Sequence, residues 1–69
     1  MKKIILEFYE AEHHGDVENY KSDIIDCGGK VTDSTLDEDS ETCTITVEVE
    51  DINAFNEKFE KTDAFMFLN

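Results

Sequence analysis

The apolar positions of this chain switch period along its length, and the order of those switches restricts the fold more than any other feature. Residues 2 to 10 set Ile4, Leu6 and Phe8 on one side and Ile5, Glu7 and Tyr9 on the other. That is the alternation of a strand with one strongly apolar face. From Asp16 the spacing lengthens, and Val17, Tyr20, Ile24 and Cys27 fall on one face of a helix. Gly28 and Gly29 end it, since glycine readily takes the left-handed conformation common at helix C-termini. Residues 30 to 36 carry β-branched Val31, Thr32 and Thr35 with weak alternation. Residues 42 to 50 alternate cleanly, with Cys43, Ile45, Val47 and Val49 against Thr44, Thr46, Glu48 and Glu50. The polar tip Asp37-Glu38-Asp39-Ser40 joins the two as a hairpin, without the Asn-Gly or Asp-Gly pair that would fix its turn type. Asp51 is placed to cap a second helix whose apolar positions are Ile52, Phe55 and Phe59. The segment from Ala64 to Leu68 is apolar enough for a last strand.

The expected order is therefore β, α, β, β, α, β within one small domain, residues 1–69. Two interlocked crossovers of this kind predict an α+β, ferredoxin-like βαββαβ arrangement: a four-stranded antiparallel sheet, strands one and three central, with both helices on one face. The expected core is Ile4, Leu6, Phe8, Val17, Tyr20, Ile24, Ile45, Val47, Val49, Ile52, Phe55, Phe59, Phe65 and Phe67. Such a fold hosts many unrelated activities, so function has to be argued from particular residues.

A chain of 69 residues buries only about 60% of its unfolded surface and has little room for a substrate cleft, so an enzyme is not expected. No apolar run approaches the roughly 20 residues of a spanning helix, and a soluble, cytoplasmic protein is the expectation. Neither of the two cysteines, Cys27 and Cys43, belongs to a metal signature or a dense disulfide framework. Both project from apolar faces and read as small buried hydrophobes.

Other constellations point weakly to chemistry. Glu10, Glu12, His13, His14 and Asp16 crowd the connection after the first strand, and imidazole with carboxylate suits zinc, nickel or copper(II). Adjacent loop histidines diverge, however, and no thiolate or third histidine completes a tetrahedron, so no cofactor or metal is expected and the His13/His14 loop is kept as an alternative. Asp33, Asp37, Asp39 and Glu41 lack the glycine and bidentate glutamate of a calcium loop. A Cys27–His pair would have to span the helix between them.

Charge is the most informative feature left. Eighteen Asp and Glu stand against six Lys and no Arg, a formal net charge of -12. That exceeds the magnitude of about 2 to 8 that serves solubility in a small domain, and it costs stability through self-repulsion. It disfavours direct contact with nucleic acid or a membrane and favours a basic protein partner. Asp16, Asp23 and Asp26 share one flank of the first helix, and Asp37, Glu38, Asp39 and Glu41 cluster at the hairpin; these seven are the candidate partner-binding residues. In size, acidity and lysine-only basic set the chain resembles, by composition and not by motif, the DNA-mimicking inhibitors of phages and mobile elements. The resemblance implies docking on, and blocking of, a basic nucleic-acid-binding host protein. The other alternative is a regulatory module that self-associates, as a homodimer, through its sheet face or an edge strand.

Overall fold

A computed structural model describes residues 1–69. Strand β1 runs Lys2–Tyr9, helix α1 His14–Asp26, strands β2 and β3 Lys30–Asp37 and Thr42–Val49, and helix α2 Ile52–Phe59. The three strands form one antiparallel sheet in the order β1-β3-β2. β1 and β2 are thus parallel to each other with β3 between them, a split β-α-β unit extended by a hairpin.

The strand alternation places side chains as the sequence implies. Ile4, Leu6 and Phe8 lie opposite Val47, Ile45 and Cys43, and on the other side of β3 these face Val31, Ser34 and Leu36. The register of β2 slips between Val31 and Asp33. Thr32 is the extra residue, which explains the weak alternation of that stretch. The inner face of the sheet joins Val17, Tyr20 and Ile24 of α1 and Phe55 and Phe59 of α2 in one core. The aromatic rings carry that junction: Phe8 stacks on Tyr20 at 4.7 Å and meets Phe59 edge-on at 6.1 Å. Cys27 and Cys43 are buried in the same core, as are Ala11 and Ala64.

The expected fourth strand does not form, and the four-stranded ferredoxin-like sheet is corrected to a three-stranded one. Asp63–Phe67 is a 3-10 helix, and only Leu68 pairs with the sheet, in a single bridge to Phe8. β3 alone is central; β1 is an edge strand. The run Ala64-Phe65-Met66-Phe67-Leu68 has no alternation, and as a strand it would present a phenylalanine pair to one face and Ala64, Met66 and Leu68 to the other. A period of three instead sets Ala64 and Phe67 on one side. There Ala64 is buried and the Phe67 ring lies 5.8 Å from that of Tyr20. The Asp23 carboxylate fixes the turn from α1 by accepting the Ala64 N–H at 3.2 Å. Phe65, expected in the core, is exposed, although its ring edge still meets Phe59.

The helix ends follow local rules. Asp51 Oδ1 accepts the N–H groups of Asn53 and Ala54 at 3.0 and 3.2 Å, satisfying two donors that α2 would otherwise leave open. Asp51→Ala should therefore lower unfolding free energy by about 1 kcal/mol, read from the urea midpoint. An unchanged midpoint would show that water serves those donors equally well.

Candidate functional site

The sheet register sorts the charges along its length. At one end of β3, Glu48 lies between Lys3 and Lys30, and Lys2 lies opposite Val49. At the other end, Tyr9 and Asp37 flank Thr42, and beyond them stands the hairpin tip. Three of the six lysines thus occupy the end of the sheet remote from the tip, which carries none.

The tip is built by its own carboxylates. Asp37 Oδ1 accepts the N–H groups of Asp39 and Ser40 at 3.1 and 3.4 Å, the side-chain-closed turn that substitutes for an Asn-Gly pair. Glu41 takes the left-handed conformation, φ 55°, and its carbonyl accepts the Ala11 N–H at 2.8 Å. That bond ties the hairpin to the loop between β1 and α1. Glu10 in that loop is also left-handed, φ 62°, and the Tyr20 hydroxyl spans the carbonyls of Tyr9 and Glu10 at 3.3 Å each. Burial, followed by the nearby Asp16, Cys43 and Glu10, pushes the Tyr20 hydroxyl up, so it stays a donor at neutral pH.

Asp16 sits in the first turn of α1, where its carboxylate accepts the N–H groups of Glu12 and His13 at 3.1 and 3.2 Å. An acid here complements the partial positive charge of the helix start. Between this loop, α1 and the 3-10 helix lies a groove of about 550 Å³. Glu10, Glu12, Asp16, Asp23 and Asp63 line it, over Tyr20 and Phe67, and no lysine does.

The seven expected residues therefore divide. Asp37, Glu38, Asp39 and Glu41 form the tip, and the Ala11–Glu41 bond brings the loop that Asp16 closes up to it. Asp23 lines the groove while holding Ala64. Asp26 stands apart, in the last turn of α1 beside Ile25 and Lys21. Glu10, Glu12 and Asp63 join the acidic end without having been among the seven. The two glutamates lie in a loop with no periodicity to place them, and Asp63 arrives only through the tertiary Asp23–Ala64 contact.

The chain contains a single ion pair, Lys21 with Glu18 at 3.3 Å. The remaining carboxylates are used on backbone N–H groups, accept the Asn69 side-chain amide in the case of Glu7, or face solvent. The thiols belong to the core: burial pushes Cys27 up, with Asp23 and Asp26 adding to it, and burial likewise raises Cys43. Both are protonated at neutral pH and are poor nucleophiles. No three His, Cys, Asp or Glu side chains converge as ligands for an ion, His13 and His14 included. No helix is long and apolar enough to cross a membrane. No protein-family model, curated protein or solved structure matches the chain.

Proposed function

We propose that the protein is a non-enzymatic acidic binding protein that docks its hairpin end on the basic surface of a nucleic-acid-binding partner and blocks it, as a DNA mimic would. The observation that carries this reading is the sorting of charge. Carboxylates of the tip, the β1–α1 loop and the groove gather at one end of the molecule, where neither tip nor groove carries a lysine, while Lys2, Lys3 and Lys30 sit at the other end beside Glu48, Glu50 and Asp51. A stretch of carboxylates that no lysine interrupts is the surface a phosphate-binding partner would meet. The groove suits a lysine or arginine side chain reaching in from the partner, since carboxylate and aromatic groups both favour a cation.

The test starts from partners captured at low salt and measures one of them in isolation. Affinity should fall on the order of tenfold as salt rises to roughly 0.2 M, because screening shortens the reach of opposite charges. A variant with Glu12→Gln, Glu38→Gln, Asp39→Asn and Glu41→Gln should weaken binding by a similar factor, whereas Asp26→Asn should not, and duplex DNA should compete for the same partner. Binding that ignores salt and these substitutions, or that tolerates saturating DNA, would remove the proposal.

A further inference from the structure

We infer that β1 is a self-complementary edge, along which two copies of this chain pair antiparallel to make one continuous six-stranded sheet. β1 has β3 on one flank only. On its other flank the chain supplies the Phe8–Leu68 bridge and the Asn69 N–H on the Glu7 carbonyl at 2.8 Å. Because the Glu7 carbonyl points away from β3, the backbone groups of Lys3 and Ile5 point the same way, and they have no partner strand.

The side chains on this edge select both the occupant and the register. Exposed apolar residues lie here: Ile5 is 67% exposed, with Tyr9 on the same face of the strand. Phe65 and Met66 are exposed on the 3-10 helix whose following residue bridges to β1. Of the large exposed apolar side chains, Ile25 and Met1 lie elsewhere. Set two β1 strands antiparallel with Ile5 opposite Ile5, and Lys3 of each copy faces Glu7 of the other. Ile5 and the Lys3–Glu7 pair then each meet a complementary group. On the inner face the same register sets Ile4 against Leu6 and Lys2 against Phe8, where the aliphatic stem of the lysine lies over the ring and its ammonium reaches solvent. Shifting the register so that Met1 faces Ile5 sets Lys3 against Lys3, and shifting it so that Lys3 faces Ile5 leaves Glu7 against Met1. Of the three registers, only the Ile5-centred one sets Lys3 against Glu7. Its cost is the displacement of Leu68 and Asn69 from this flank: the Phe8–Leu68 bridge opens, the Glu7 carbonyl exchanges the Asn69 N–H for that of Lys3 in the second copy, and the Glu7 carboxylate exchanges the Asn69 side-chain amide for the Lys3 ammonium.

This inference does not rest on the acidic end, and salt separates the two. Two copies of net charge -12 repel each other, so self-pairing tightens as salt is added, whereas docking on a basic partner weakens. Sedimentation of the purified chain over a wide concentration range should show a monomer–dimer equilibrium that shifts toward dimer in salt. Ile5→Lys sets like charges across the two-fold axis and should raise the dimer dissociation constant about tenfold or more, with an unchanged melting temperature at concentrations where the parent is monomeric. Glu7→Lys should weaken pairing likewise, and Lys3→Glu combined with Glu7→Lys should restore it. A chain monomeric at every concentration and salt would overturn the inference, as would a dimer indifferent to Ile5→Lys or a double variant that fails to recover.

Discussion

Phe8→Ala should leave the chain largely unfolded at 25 °C. Phe8 is fully buried and is the residue at which every layer meets. Its ring stacks on Tyr20 of α1 with planes 16° apart and meets Phe59 of α2 at 71°, while its backbone lies opposite Cys43 on one side and Leu68 on the other. Truncating such a ring costs about 3 to 5 kcal/mol. A 69-residue domain has only about 0.05 to 0.15 kcal/mol per residue of net stability, so the loss equals much or all of it. Urea denaturation followed by far-UV circular dichroism should show little or no native baseline for the variant. Phe8→Leu, which keeps most of the volume, should retain a cooperative transition at a reduced midpoint. If Phe8→Ala unfolded within about 1 kcal/mol of the parent, the aromatic junction would not be the centre of the core.

Gly29→Ala should destabilise by about 1 to 3 kcal/mol, and Gly29→Val by more. A methyl group there would stand 2.7 Å from Ile24 Cγ2, 2.8 Å from Val47 Cγ1 and 2.9 Å from Phe55 Cε1. Those atoms belong to α1, β3 and α2, so relief in one direction tightens another. The Gly29 N–H also donates to the Ile24 carbonyl at 2.9 Å, which prevents the backbone from backing away. Gly28 beside it has open space and a φ of 92°. Its requirement is conformational, and Gly28→Asn should be nearly neutral because asparagine tolerates the left-handed region. Comparable midpoints for Gly28→Asn and Gly29→Ala would show that backbone conformation, not packing, governs both positions.

This glycine pair also shows what the sequence could and could not convey. That a helix stops at residues 28–29 was legible, because glycine after an apolar helical stripe has a local meaning. That the second glycine is a contact point between three elements was not, because nothing local marks a missing side chain as needed for space. Charge behaves the same way. Its sum is written in the composition, but its polarity follows from the β1–β3–β2 register, which carries Lys2, Lys3 and Lys30 to one end and the hairpin to the other.

The elements themselves were set by short-range physics: alternation for β1 and β3, helical spacing for α1 and α2, and Asp51 for the start of α2. Each buries an apolar face whose period can be read along a few turns or strand residues. The segment after Thr62 had no such pattern. Its apolar run suits a strand or a helix equally, and the choice fell to partners distant in the chain: the Asp23 carboxylate on the Ala64 N–H and the Tyr20 ring beside Phe67. That tertiary decision removed the fourth strand and with it the cover of β1. The sequence thus determined which residues form the faces, because periodicity is local; only the tertiary structure decided which edge stays open, because pairing an edge depends on where a remote segment finds its hydrogen bonds.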